Sequence, residues 1–182
     1  MSKVKIRPVR LSDAKRLSEI YAPYVKETAI TFEIEAPDAK EFERRIKKTV
    51  KSYPYLVAEN DDGVVVGYAY ASAFHERAAF SISAEISVYT DGAFRHQGLG
   101  RRLLTELERQ MKAAGIQNSN SAIAVPVNDI PDEYLDCNSW QFHEHMGYKE
   151  AGRFHCVAKK FGRYYDLLWM EKWLCERDES QK

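Results

Sequence analysis

A chain of 182 residues with 45% hydrophobic, 12% aromatic and 30% charged side chains has the composition of one globular domain rather than of a disordered segment. Lys plus Arg and Asp plus Glu balance at 27 each, so no bulk field exists to attract nucleic acid or an anionic membrane, and any anion site has to be local. The three cysteines, Cys137, Cys156 and Cys175, are odd in number and lack a CxxC pair, which argues against both a disulfide framework and a zinc site.

The opening Met1-Ser2-Lys3-Val4-Lys5 has no apolar core of a signal peptide, and no apolar run approaches the ~20 residues of a membrane helix. A cytoplasmic protein is expected. Val4–Val9 predicts a first strand. Ser12 and Asp13 offer caps for a helix with Leu17, Ile20, Tyr21 and Tyr24 on one stripe. A loop through Phe32 leads to a second helix from Asp38 to Val50. Tyr55–Glu59 and Val64–Ser72 predict strands joined by the turn Asn60-Asp61-Asp62-Gly63. Phe80–Tyr89 alternates apolar and polar residues as a further strand. An amphipathic helix carrying Leu103, Leu104, Leu107 and Met111 follows and stops at Gly115. Ser121–Val125, a polar insert from Asn128 to Asp136, a short helix from Ser139 to Met146, and strands over Lys149–Ala158 and Tyr164–Leu174 complete the chain. No linker or repeat divides it, so residues 1–175 are expected to form one domain and Glu176–Lys182 a polar tail. Strands interleaved with helices and ending in a hairpin predict a mixed α/β sheet with helices on both faces.

The stretch Arg95-His96-Gln97-Gly98-Leu99-Gly100-Arg101-Arg102 lies between a strand and a helix. A helix N-terminus presents unsatisfied N–H groups and partial positive charge, and glycines let backbone approach a diphosphate closely. The first turn carries arginines and no acid before Glu106, which leaves its positive end open to an external anion. A Walker loop is excluded by the missing GxxxxGK[ST], and a dinucleotide fingerprint by Leu103 at its third glycine position. Locally, a phosphate cradle and a tight strand–helix turn with solvated arginines fit equally well.

This loop resembles the acyl-CoA-binding motif [QR]-x-x-G-x-[GA] of the GNAT acetyltransferase superfamily, with Arg95, Gly98 and Gly100 in its defined positions. Further segments resemble the phosphinothricin acetyltransferase branch. They are Tyr53-Pro54-Tyr55-Leu56-Val57-Ala58-Glu59, Ala84-Glu85-Ile86-Ser87-Val88-Tyr89, Phe142-His143-Glu144-His145-Met146-Gly147-Tyr148 and Tyr164-Tyr165-Asp166. The resemblance spans nearly the whole chain in order. It implies a GNAT-like, mostly antiparallel twisted sheet of six or seven strands. It also implies acetyl-CoA as cosubstrate without a metal, transfer to the amine of a small amino-acid-like molecule, and a homodimer. A peptide or protein amine, or a non-catalytic acyl-CoA-binding module, are the alternatives.

Glu85 is the one side chain expected to be charged between Ala78 and Thr90. It fits either an exposed-face residue that discourages strand aggregation or, by the resemblance, the base that strips a proton from the acceptor amine. His143 fits an ordinary helix histidine or, by the resemblance, a proton donor to the departing thiolate. His145, two residues on, points elsewhere on the helix, so the pair makes no metal site. The resemblance further assigns CoA contacts to the backbone of Val88 and Tyr89, to Arg95, His96, Gln97, Gly98, Leu99, Gly100 and Arg101, and to Ser139. On the substrate side it points to His75, Arg77 and Phe80, with His75 standing where the branch has a basic residue and Phe80 where it has a tyrosine. Phe32 reads as an apolar substrate wall or as core, and Asn128 as a substrate contact within an otherwise solvated insert. The last strand is apolar on both faces, as a central strand or a subunit contact would be.

Overall fold

The computed structural model describes residues 4–95 and 97–176. His96 of the predicted cradle, and the expected tail after Glu176, lie outside the described residues. The elements run β1 (Lys5–Pro8), α1 (Ala14–Glu27), α2 (Ala39–Thr49), β2 (Tyr55–Glu59), β3 (Val65–Ala73), β4 (Ser83–Thr90), α3 (Leu99–Ala113), β5 (Asn118–Pro126), α4 (Asn138–His145), β6 (Lys149–Lys160) and β7 (Arg163–Trp173). They form a 7-stranded sheet of order β1-β2-β3-β4-β5-β7-β6. Every neighbouring pair is antiparallel except β4 with β5, which run parallel.

Local chemistry accounts for the boundaries. Asp38 caps α2 by accepting the Glu41 N–H at 2.8 Å. Asn60 closes the β2–β3 turn, its Oδ1 accepting the N–H groups of Asp62 at 3.1 Å and Val64 at 2.9 Å, while Gly63 takes a left-handed φ of 76°. The stripe Leu17, Ile20, Tyr21 and Tyr24 on α1, with Phe42 and Ile46 on α2, packs on Tyr55, Val57 and Tyr68 on one face of the sheet. Leu99, Leu103, Leu104, Leu107 and Met111 of α3 cover the other face with Leu56, Ala69, Ala84, Ile86, Ile123 and Leu168. Helices thus lie on both faces, as the alternating pattern predicts.

Two expected boundaries change, and one open alternative is decided. β4 starts at Ser83, not Phe80, because Ala78–Phe80 coils into a short 3-10 turn in which the Phe80 N–H bonds the Arg77 carbonyl at 2.9 Å. Phe80 and Ile82, which mimic strand alternation in the sequence, are both exposed. β5 begins at Asn118, ahead of the expected Ser121, because three polar residues here are buried within the sheet. The doubly apolar β7 is an inner strand, flanked by β5 and β6, and its place in the sheet accounts for the burial of Tyr165, Leu168 and Met170.

Candidate active site

The parallel pair β4–β5 is registered only over Ser83–Asn118, Ala84–Ser119 and Glu85–Asn120. Beyond Glu85, β4 continues to Thr90 bonded only to β3, and β5 continues to Pro126 bonded only to β7. The two strands therefore split, and a cleft opens between them, lined by Ile86, Ser87, Val88 and Tyr89 on one side and Ser121, Ala122, Ile123 and Ala124 on the other.

Strand parity says which backbone groups face this cleft. The Asp91 N–H bonds Val66 of the β2–β3 side at 2.9 Å, whereas the Ile82 carbonyl accepts from Asn118 of β5 at 3.0 Å. Even-numbered amides of β4 thus point toward β5 and odd-numbered ones toward β3. The Ile86 N–H is still used by the Glu85–Asn120 pair of the ladder, and past it Val88 is left with its N–H group directed into the cleft. Tyr89 differs: its amide belongs to the ladder with Tyr68, and its carbonyl would lie 3.1 Å from a Cβ placed on Gly67 of β3. Of the two backbone positions expected to contact the cosubstrate, the register presents Val88 and withholds Tyr89, whose ring joins Tyr21, Tyr24 and Tyr68 in the core.

At one end of the cleft α3 begins. Gly98 is its N-cap in the left-handed region (φ 72°), no side chain caps the helix, and no acid stands in its first turn. Among the described residues, the first backbone bond back into the helix is from the Arg102 N–H to the Gly98 carbonyl at 3.1 Å, and the N–H groups before it find no backbone partner there. A Cβ on Gly100 would come 3.5 Å from the Phe142 ring of α4 and 3.9 Å from Val88, ordinary contacts that set the helix start beside the cleft. Arg95, Gln97 and Arg101 are exposed around this end, with the Arg95 guanidinium 5.1 Å from the Tyr24 ring. Leu99 sends its side chain into the core and can offer only backbone. Arg102 turns away to the Val4 carbonyl. This uncapped, glycine-lined helix start beside an open amide edge fits the diphosphate and pantetheine of a CoA thioester.

Glu85 stands where the split begins. It pairs across with Ser72, so it shares the face of Tyr70, Tyr68 and helices α1 and α2. Burial pushes its carboxyl above the ordinary glutamate range, and no hydrogen bond or ion pair holds it among the described residues. Ser121 and Ile123 of β5 point to the opposite face, and there His143 of α4 enters the cleft. His143 is buried; its Nδ1 lies 2.8 Å from the Ser139 carbonyl and its Nε2 3.1 Å from the Ser121 hydroxyl. A carbonyl only accepts, so Nδ1 carries the proton and Nε2 is left to accept from Ser121. Burial depresses the imidazole pKa, partly opposed by the Ser139 bond.

The substrate-side residues fall at two ends. His75, Arg77 and Phe80 lie in the segment joining β3 to β4, next to the Ser72–Glu85 pair. There His75 stacks on Phe80 at 5.0 Å, its Nδ1 accepts the Arg77 N–H at 3.3 Å, and Phe74 meets Trp169 of β7 edge-on at 5.4 Å. Phe32 packs instead on Tyr165 at 6.3 Å, opposite Pro126 at the far end of β5. Asn128 lies exposed in the turn after β5 with a φ of 57°, beyond Pro126, which is about 20 Å along the strand from Asn120 at ~3.3 Å per residue. The structure does not bring Phe32 or Asn128 to Glu85. Ser121 escaped the sequence reading. Its signal was there in two serines, Ser119 and Ser121, on the face of β5 that also carries Ile123 and Val125.

A mixed sheet split between two parallel strands, with an uncapped helix start at the mouth of the split, defines an acyl-CoA-dependent transferase. The profile described as "Acetyltransferase (GNAT) domain" matches residues 6–169, and the chain belongs to the GNAT family as an acetyl-CoA-dependent N-acetyltransferase. It is 28% identical to a phosphinothricin N-acetyltransferase of Streptomyces coelicolor, over 94% of this chain and 96% of that one. It is 30% identical to an L-methionine sulfoximine/L-methionine sulfone acetyltransferase of Salmonella typhimurium, over 94% and 95%. Among solved structures it resembles the GNAT superfamily phosphinothricin acetyltransferase of Sinorhizobium meliloti in complex with acetyl-CoA, with a TM-score of 0.85 and 29% identity over 95% of this chain and 89% of that one.

Proposed function

We propose that the protein transfers acetyl from acetyl-CoA to the primary amine of a small amino-acid-like molecule, of the phosphinothricin, methionine sulfoximine or methionine sulfone type, by direct attack in one ternary complex. The observation that carries this reading is the unpartnered Glu85 at the root of a cleft whose other end is the uncapped start of α3. The names of the relatives support the acceptor class.

Acetyl-CoA supplies the activated acetyl group as its thioester. Gly98, Leu99, Gly100 and Arg101 offer backbone N–H groups to the diphosphate, and Arg95 and Gln97 flank it. Val88 N–H bonds the thioester carbonyl and holds the charge that grows on it. Ser139 lines the cleft beside His143. Glu85, its basicity raised by burial, takes the proton that an ammonium acceptor must lose, directly or through a water. His143 works on the other face, toward the leaving sulfur. The neutral ring has its proton on Nδ1, so Nε2 first takes up a proton from solvent and, with burial depressing its pKa, gives that proton to the departing thiolate, with Ser121 beside it. His75, Arg77 and Phe80 receive the acceptor's carboxylate and side chain. The exposed apolar side chains Phe154, Val157 and Tyr164 on the β6–β7 hairpin support a homodimer, and the free cysteines suit a reducing cytoplasm.

The test is a panel of methionine sulfone, methionine sulfoximine, phosphinothricin and short peptides, followed by release of the CoA thiol. Turnover confined to the peptides, or absent throughout, overturns the reading.

A further inference from the structure

Lys160, the last residue of β6, is 4% exposed, yet among the described residues no carboxylate bonds its ammonium. The hydrogen bond it makes there is to the Thr31 carbonyl at 2.7 Å, and the Phe161 ring lies 5.2 Å away. Glu33 is the acid whose field reaches it, but that carboxylate is bonded to Arg45 at 2.8 Å. A buried ammonium is costly unless its contacts compensate, and an apolar side chain of similar length would avoid that cost. The contact it makes is therefore informative.

Thr31 lies in the segment between α1 and α2 and is gripped from two sides. Lys160 holds its carbonyl, and the Tyr21 hydroxyl of α1 shares a hydrogen bond of 2.6 Å with its Oγ1. Ile30, the residue before it, lines the β4–β5 cleft with Ser87 and Tyr89 of β4 and Ala122 and Ala124 of β5. Those four side chains sit at register positions on the Glu85 face of the sheet. We propose that Lys160 is a positioning residue for the acceptor: its ammonium latches Thr31 to the β6–β7 hairpin and so fixes Ile30 as the wall of the cleft on the face from which the amine arrives. Lys160 itself touches neither substrate. The inference rests on the proposed direction of amine attack.

Lys160→Met removes the ammonium at nearly constant length. The expected result is a rise of about tenfold in KM for the amine, the scale of one charge-assisted hydrogen bond, with kcat nearly unchanged and acetyl-CoA affinity by calorimetry as in the wild type. Tyr21→Phe cuts the other side of the grip without touching the buried charge, and a smaller rise in the same constant is expected. Amide hydrogen exchange across residues 29–33 should quicken in both variants. A lowered melting temperature with unchanged KM and unchanged exchange at 29–33 overturns the latch. Wild-type protein that acetylates no amine sinks the functional reading instead, and exchange at 29–33 alone then decides the latch, with wild-type rates in Lys160→Met counting against it.

Discussion

Glu85 and His143 stand on opposite faces of the sheet, Glu85 at the root of the β4–β5 split and His143 lining the cleft beyond it. Glu85 pairs with Asn120, the last registered residue of β5 before the split, and the very next residue, Ser121, turns to the other face to meet His143. A one-residue step along a strand reverses the side chain. A thioester carbonyl bound to the Val88 N–H would therefore have a base on the side of the incoming amine and an imidazole on the side of the leaving sulfur. Separation by the sheet also keeps the two groups from neutralising one another, so each keeps the pKa its own burial imposes.

The Glu85 carboxyl should appear in the pH dependence of the rate. Burial raises its pKa, and the base is active only when ionised, so kcat/KM should fall as pH drops through a value above the ordinary glutamate range. Glu85→Gln should lower kcat by about 10²–10⁴, the span of general-base effects, and remove that acidic limb while acetyl-CoA still binds. Steady-state rates across pH with calorimetry at one pH check both. Wild-type rates in Glu85→Gln would strike Glu85 from the mechanism.

On the proposed mechanism, which sets the imidazole toward the leaving sulfur, His143→Phe should reduce kcat by about 10²-fold or more with little change in amine KM. Ser121→Ala should cost less, because it removes the partner of Nε2 but leaves the Ser139 bond that orients the ring. The comparison uses stopped assays of free thiol. Equal and large losses in amine KM for both variants would instead put His143 on the acceptor side.

What the sequence revealed and what it hid separate along physical lines. The uncapped start of α3 at Gly98 was legible because its cause is local: two glycines and two arginines open the apolar stripe with no acid in the first turn. The turn at Asn60–Gly63 and the stripes of α1 and α3 were legible for the same reason. Phe80 misled because period-two alternation does not record whether a segment is paired, and the Ala78–Phe80 turn imitates it. Tyr89 misled because the direction of an amide depends on register with β3, which no side-chain pattern encodes. Lys160 was invisible for a third reason. A lysine near a hairpin turn reads as solvated, and only the fold of a segment 129 residues away in sequence buries it.

Gly98 combines space with strain. A Cβ there meets nothing within 4 Å, so bulk alone would not disturb the fold, but its φ of 72° is left-handed and disfavours any other residue by about 1–2 kcal/mol. Gly98→Val should therefore either distort the first turn of α3 or stand out over the free N–H groups. Acetyl-CoA affinity should drop about tenfold or more while the circular dichroism spectrum stays native. Calorimetric titration checks this, and undiminished affinity would move the diphosphate away from this helix.

A last prediction separates stability from catalysis. Arg7 of β1 and Asp13 at the start of α1 form a buried pair at 2.8 Å, and Asp13 also accepts the Arg10 N–H at 2.7 Å. Burial alone would raise the Asp13 carboxyl, but the bonds from Arg7 and the Arg10 amide outweigh it and hold it below the ordinary aspartate range. A depressed carboxyl stabilises the fold fully above its unfolded pKa, and that contribution is lost as pH falls through the folded one. Asp13→Ala leaves the Arg7 guanidinium with Glu59 at 2.7 Å and the Pro8 carbonyl at 3.1 Å, and should destabilise the protein by less than the ~3–5 kcal/mol of a wholly uncompensated buried charge. Because the pair ties the start of α1 to β1, at the sheet edge away from the cleft, kcat and both Michaelis constants should stay as in the wild type below the new melting temperature. Urea unfolding at neutral pH and at pH 3 should show the gap between wild type and variant narrowing at the acid end. A gap that widens there would mean that Asp13 is not ionised in the folded protein.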